Sequence, residues 1–218
     1  MEKKHVIIVS GGSTDSQLGM TCIRDSAQSF CIAADSGMNF FYQNGLVPDM
    51  IVGDFDSADG EALQHFRTIS KIQWEKLNPV KDDTDTEFAI RKAIELGAER
   101  ITLLGATGSR LDHVLGNIEL LGIGLETGVP IEMLDAKNRI RMIDTGIRLR
   151  RETQYGDYVS LLPYTKEVRG LTLTGFQYPL HQATLKGFCS LGISNEILEE
   201  EAEISFEEGI LLVIESRD

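Results

Sequence analysis

DTEFAIRKAIELGAERITLLGA (85–106) sets a helix directly before a strand. Across 85–99, Phe88, Ala89, Ile94 and Leu96 form an apolar stripe at helical spacing, with Thr84 placed to cap the start and Gly97 to stop the run. ITLLGA (101–106) is short, continuous and apolar, the pattern of a strand buried on both faces. Runs of the same kind lie to either side at HVIIVS (5–10), FCIAADS (30–36) and PIEMLDA (130–136), and HVLGNIELLGIGLETG (113–128) reads as a second helix. Parallel strands need helical crossovers between them, so this alternation predicts an α/β domain with a mostly parallel sheet over residues 1–136.

Beyond Lys137 the period changes. RIRMID (139–144), IRLRRE (147–152), YVSLLP (158–163), LTLTGF (171–176) and ILLVIES (210–216) alternate at period two and are separated by Gly and Pro turns. No helical window of useful length occurs there, so residues 137–218 are expected to form an antiparallel β-sandwich. Between 196 and 208 the chain carries seven Glu and no basic residue, but Ile204 and Phe206 interleave with them, as on a solvated hairpin face.

Composition narrows the function classes. A chain of 218 residues, 42% hydrophobic and 25% charged, has the makings of a substantial core and is not disordered. With 21 basic against 34 acidic side chains, its net charge of -13 repels a phosphodiester backbone, which argues against nucleic acid as a partner. A small phosphorylated ligand stays open, because metal ions held by carboxylates reverse the local field. No apolar run approaches the roughly 20 residues of a membrane span, and MEKKHVIIVSGGS turns polar too soon for a signal peptide, so the chain is expected to be cytoplasmic. Cys22, Cys31 and Cys189 are scattered, with no CxxC spacing, and read as core thiols.

Functional side chains in open α/β sheets gather beyond the carboxyl ends of the strands. AADSG (33–37) places Asp35 there, IVGDFDS (51–57) places Asp54 and Asp56, and KDDTD (81–85) adds Asp82, Asp83 and Asp85 before a helix. On an extended backbone the D-F-D spacing points Asp54 and Asp56 the same way, and two like charges then call for a cation. Mg²⁺ takes one or two carboxylates together with substrate phosphates. In LLGATGSRLDHVLGN (103–117), Gly105 and Gly108 permit close backbone approach by an anion, Arg110 supplies a planar fork for phosphate oxygens, and Asp112 and His113 stand at the helix entrance. The segment lacks the Lys of an ordinary P-loop, and His113 reads more readily as structural than as a base. GGS (11–13) is equally a ligand loop or a turn. No Ser/His/Asp set or nucleophile elbow is present, which argues against covalent acyl chemistry.

ADSGMN (34–39), VPDMIVGDFDS (47–57), KDDTDTEFAI (81–90), GATGSRLDHVLGN (105–117), GFQYPL (175–180) and LGISNE (191–196), in this order, resemble the thiamine pyrophosphokinase family. The resemblance spans both halves of the chain. It implies an N-terminal α/β nucleotide-binding catalytic domain, a C-terminal β-sandwich that binds thiamine and dimerises, and a homodimer. The implied reaction is transfer of pyrophosphate from ATP, with Mg²⁺, to the hydroxyl of thiamine, giving thiamine diphosphate and AMP. On this pattern Asp54, Asp56 and Asp85 form the catalytic and metal cluster, with Asp35 and Asp82 adjoining. Arg110 and Asp112 belong to the catalytic loop. Gly37, Asn39, Thr84, Gly105, Thr107, Gly108, His113 and Asn117 complete the ATP site, and Ser194 and Asn195 match the thiamine-contacting motif. Ser109 stands where many members have a second Gly, and Gln177 replaces a frequent Lys. Two other readings remain at this point: a metal-dependent nucleotide hydrolase, in which water replaces thiamine, and a thiamine or nucleotide binding module without turnover.

Overall fold

A computed structural model describes residues 4–25, 28–55, 59–77 and 83–218, and the chain divides into two compact units, Met1–Ala136 and Lys137–Asp218. The first unit runs β1 (His5–Val9), α1 (Ser16–Asp25), β2 (Phe30–Ala34), α2 (Met38–Gln43), β3 (Met50–Gly53), α3 (Gly60–Arg67), β4 (Gln73–Lys76), α4 (Asp85–Glu95), β5 (Arg100–Leu104), α5 (Leu111–Glu119), α6 (Gly122–Thr127) and β6 (Ile131–Leu134). Its strands lie side by side as β4-β3-β2-β1-β5-β6, every pair parallel. Val6, Ile7, Ile8 and Val9 are all fully buried, because the central strand is covered on both faces. Strand order reverses between β1 and β5. Loops leave the sheet there in opposite directions and open a crevice beyond the carboxyl ends of those two strands.

α4 shows how local signals act and where they mislead. The Thr84 hydroxyl accepts from the Glu87 amide at 3.2 Å and caps the start. Gly97, at φ +81°, ends the helix with paired bonds from Gly97 N to Ile94 O and from Ala98 N to Ala93 O. The helix stops at Glu95, short of 99. Its buried face is Thr86, Ala89, Ile90 and Ala93, and the larger Phe88, Ile94 and Leu96 stand at the flanks. Small side chains let the helix sit close on the sheet, so residue size misplaced the stripe. The helix expected over 113–128 is two: i→i+3 turns at Leu121, Ile123 and Gly124 separate α5 from α6. β4 has no apolar run because it is a half-exposed edge strand.

The second unit contains β7 (Asn138–Ile143), β8 (Ile147–Arg150), β9 (Tyr158–Pro163), β10 (Glu167–Thr174), β11 (Leu180–Lys186), β12 (Glu201–Ser205) and β13 (Leu211–Ser216). Two antiparallel sheets, β7-β13-β9 and β11-β10-β12-β8, share one core that includes Val159, Leu161, Leu171, Ile204 and Val213. The acidic run contains β12, where Ala202 and Ile204 face the core and the glutamates face solvent. Cross-strand pairs Glu201↔Arg150 and Glu203↔Arg148 oppose these charges on the outer face. At one end of β13, Glu215 is 1% exposed and accepts from Arg141 at 2.6 Å and from the Tyr155 amide at 2.9 Å, which stabilises a charge that burial alone would expel.

None of the three cysteines is joined in a disulfide, but only Cys31 is a core thiol, pushed up to about 12 by burial and by Asp49. Cys22 is partly exposed, and Cys189 is exposed on a loop, so the reading of all three as core residues is corrected. The Cys189 loop leaves its apolar neighbours Phe188 and Leu191 exposed as well.

At the amino end of the parallel sheet, Arg100 donates to His5 Nδ1 at 3.1 Å, which leaves Nε2–H to face Thr102 Oγ1 at 2.9 Å. Thr102 in turn donates to Glu132 at 3.1 Å. Burial, and then the Arg100 charge, lower His5 to about 4. An unfolded histidine titrates near 6.5, so between those values the unfolded chain binds the extra proton and stability falls as pH is lowered from about 6.5 to about 4. The His5→Gln variant, lacking that proton site, is expected to lose less of its urea midpoint than the wild type between pH 7 and pH 4.5. Equal losses would remove His5 from the acid sensitivity.

Candidate active site

The crevice between β1 and β5 is built first from backbone. The loop after β1 is stitched to the loop after β5 by Ser10 N to Leu104 O at 2.8 Å, Gly12 N to Gly105 O at 2.7 Å and Ser13 N to Thr107 O at 2.8 Å. Side chains would prevent this. A Cβ on Gly12 would lie 2.2 Å from Thr107 O, and one on Gly105, at φ +62°, would lie 2.4 Å from Ser10 O. The turn after β2 closes onto the same strand end, because a Cβ at Gly37 would sit 1.9 Å from Val9 O.

These loops border a cavity of about 330 Å³. Asp35, Thr84, Asp85, Gly105, Thr107, Gly108, Arg110, His113 and Asn117 all line it, as do Gly12 of the GGS segment, left open between a ligand loop and a turn, and Ser10, Ser36 and Thr86, which sequence reasoning did not single out as site residues. The first turns of α4 and α5 both meet it, and helix N-termini direct unpaired amides and positive dipole ends toward an anion. Asn117 fixes α5 to the glycine loop by donating to Ala106 O at 2.7 Å. Carboxylate and hydroxyl oxygens together with backbone amides suit a polyphosphate and a hard cation.

Other expected residues stand elsewhere. Gly37 and Asn39 are not among the lining residues: Gly37 serves the close approach to β1, and the Asn39 side chain accepts from the Asp59 amide at 3.4 Å. Asp54 follows Gly53, whose missing side chain lets β3 lie against Asp35, with a virtual Cβ 3.1 Å from its Cα. Phe55 is left-handed at φ +67° and is held edge-on against Trp74 at 5.3 Å, so the extended backbone assumed for the D-F-D spacing is not what forms. Asp56 and Asp82 lie outside the described residues. Asp112 borders an adjoining cavity of about 300 Å³, shared with Thr86 and Asn117. Among the described residues no three His, Cys, Asp or Glu side chains form a metal-binding group.

Arg110 and Asp112 form an exposed two-point ion pair, Nη2 to Oδ2 at 2.6 Å and Nε to Oδ1 at 3.3 Å. The hydrogen bond from Arg110 holds the Asp112 carboxyl down to about 2, so Asp112 is ionised and a weak base at neutral pH. In the second unit, Ser194 is exposed at φ +56°, and its amide donates to Ser160 Oγ at 3.0 Å. Asn195 is 7% exposed and its carboxamide is tied to backbone: Oδ1 accepts from Tyr178 N and Glu196 N at 3.0 Å each, and Nδ2 donates to Tyr178 O at 2.9 Å.

The stitched loops give a stability prediction. The Gly105→Ala variant must place a side chain in left-handed backbone against Ser10 O, and is expected to lose about 2 kcal/mol or more of unfolding free energy. Chemical denaturation tests this, and a wild-type midpoint would show that the loops part without cost.

Two family models match the chain: the thiamin pyrophosphokinase catalytic domain over residues 25–133 and the thiamin pyrophosphokinase vitamin B1 binding domain over residues 144–211. A thiamine pyrophosphokinase of Bacillus subtilis (strain 168) is 34% identical over 217 residues, spanning 99% of this chain and 100% of the relative. The crystal structure of thiamine pyrophosphokinase from Bacillus subtilis superposes with a TM-score of 0.89 at 31% identity, covering 99% of this chain and 100% of that one. The structure from Geobacillus thermodenitrificans gives 0.86 at 32% identity, with 98% of each chain covered. With catalytic and vitamin-binding models on its two halves and full-length relatives above 30% identity, this chain belongs to the thiamine pyrophosphokinase family.

Proposed function

We propose that this chain transfers pyrophosphate from ATP to the hydroxyl of thiamine, releasing AMP, and that the crevice between β1 and β5 receives the triphosphate. The carrying observation is the convergence there of the glycine-loop backbone, the first turns of α4 and α5, Asp35, Asp85 and Arg110. We assign Met1–Ala136 to nucleotide binding and Lys137–Asp218 to thiamine binding and self-association. Tyr178, Phe188, Leu191, Ile193 and Leu198, large apolar side chains exposed on the second unit, support a homodimer. Cysteines that are not joined in disulfides support a cytoplasmic setting, where thiols stay reduced. No helix among the described residues is long and apolar enough to cross a membrane.

In the proposed reaction the thiamine oxygen bonds to the β-phosphorus while the bond from that phosphorus to the bridging oxygen of AMP breaks. Charge accumulates on the phosphate oxygens during this step, and catalysis is chiefly alignment and neutralisation. The loop amides hold the chain of phosphates, and the Arg110 fork meets the developing charge. The hydroxyl proton passes late to a carboxylate. Asp112, held near 2 by its hydrogen bond from Arg110, is better suited to orienting Arg110 than to taking that proton.

The donor chemistry fits Mg²⁺. Asp35 and Asp85 bring hard oxygens to the cavity, and the close packing of Gly53 on Asp35 brings Asp54 next in the chain. By the family pattern Asp54, Asp56 and Asp85 would hold the ion and Asp35 and Asp82 would assist, Asp56 and Asp82 lying outside the described residues. A metal held there would supply positive charge that offsets the charge on the phosphate oxygens.

Incubation with thiamine, ATP and Mg²⁺ should yield thiamine diphosphate and AMP in equal amounts, with no turnover when thiamine is omitted. Acceptor-independent ATP breakdown would indicate a hydrolase, and binding without products a non-catalytic module. Arg110→Lys keeps the charge but not the fork, and is expected to lower kcat by about 2 kcal/mol in barrier, with a smaller change in ATP affinity. A raised KM for ATP at unchanged kcat would make Arg110 a ground-state anchor.

A further inference from the structure

The Ser10 and Thr86 hydroxyls share a hydrogen bond at 2.9 Å across 76 residues of sequence. Both side chains are buried, at 4% and 9% exposure, and both stand in the wall of the crevice. Ser10 is the fixed member. Its amide is bound to Leu104 O at 2.8 Å, and its carbonyl oxygen lies only 2.4 Å from where a Cβ on Gly105 would be, so it moves only with the stitched loops. Thr86 is the member that needs fixing. It belongs to the first turn of α4, beside Asp85, on a helix face otherwise made of Ala89, Ile90 and Ala93. An apolar face of small residues tolerates small rotations and slides, whereas a buried hydroxyl is satisfied at one setting and costs free energy at others.

We propose that Ser10 and Thr86 are a positioning pair whose hydrogen bond sets the rotation and height of the first turn of α4 over the end of β1, and so aims Asp85 and the amides of that turn into the crevice. The inference rests on the phosphate-binding reading of the crevice. Neither hydroxyl is required to touch substrate. Their contribution is the angle from which Asp85 and the helix end meet the phosphates, and small misplacements of aligned groups are costly to rate.

The test compares wild type with Ser10→Ala, Thr86→Val, the double variant and Thr86→Ser. For each, kcat, KM for thiamine, the calorimetric Kd for ATP with Mg²⁺, and the thermal midpoint are measured, with kinetics run well below every midpoint. Each single loss should lower kcat by about ten-fold or more and weaken ATP binding several-fold, while KM for thiamine stays within about two-fold. The double variant should be no worse than the poorer single variant, because the hydroxyls act as a unit. Thr86→Ser retains the hydroxyl and should stay within about two-fold of wild type in kcat. Lowered midpoints with unchanged kcat and ATP affinity would reduce the pair to a packing contact and overturn the proposal. So would additive losses, or failure of Thr86→Ser to keep activity. A wild type that binds ATP but forms no thiamine diphosphate would overturn the functional reading alone, and the same non-additivity and rescue would then be read from ATP binding. A wild type that does not bind ATP would overturn both.

Discussion

Everything at the crevice depends on two loops from opposite sides of the strand-order reversal lying in backbone contact. Strands β1 and β5 are neighbours, but their outgoing chains depart to different parts of the sheet, and in most sequences side chains would wedge those departures apart. Here Gly12 and Gly105 remove the wedge, and three amide–carbonyl bonds continue the β1–β5 pairing past the last residues of the strands. Gly37 does the same on the other flank of β1, bringing the turn that carries Asp35 onto Val9. The frame is therefore made of peptide groups already committed to one another, and side chains are added to a fixed scaffold.

The helices inherit their positions from that frame. Asn117 ties α5 to Ala106 within the stitched region, and the Thr86 hydroxyl ties the start of α4 to Ser10. Two helix N-termini thus meet one cavity because each is fastened by a polar side chain to a loop that cannot spread. Capping works at shorter range: Thr84 satisfies the Glu87 amide and fixes where α4 begins, but not which way its first turn faces.

Much of this was legible in the sequence, and the failures have physical causes. The α/β and antiparallel halves follow from hydrophobic period, which reports burial on two faces or on one. Asp35, Asp85 and the segment from Gly105 to Arg110 could be sent to a common crevice because the carboxyl-end rule depends only on strand polarity. The face of α4 was misplaced because Phe88, Ile94 and Leu96 dominate a hydrophobicity reading, while close packing selects Ala89 and Ala93. The D-F-D argument assumed an extended backbone that Phe55 does not adopt. Ser10 and Thr86 gave no signal, since hydroxyl residues are common and the relation between these two exists only after β1 and α4 are packed. Asn195 matched a ligand-contacting motif, yet its carboxamide is engaged with the backbone of Tyr178, so a motif position can act through the loop it holds in place.

The charge balance of the crevice bears on what it needs to work. A protein with net charge -13 presents a repulsive average field to a triphosphate. The cavity wall includes two carboxylates, Asp35 and Asp85, and one guanidinium, Arg110, which is itself paired with Asp112. Loop amides and helix ends contribute only partial charges, of order half an elementary charge per helix. Arg110 can turn to a phosphate only by exchanging one anionic partner for another, so its net gain is smaller than that of an unpaired arginine. Among the described residues, these groups are arranged to orient a polyphosphate. On the proposed function, a cation–nucleotide complex would meet the Asp35 and Asp85 carboxylates as attractive groups, where a bare polyphosphate would meet them as repulsive ones.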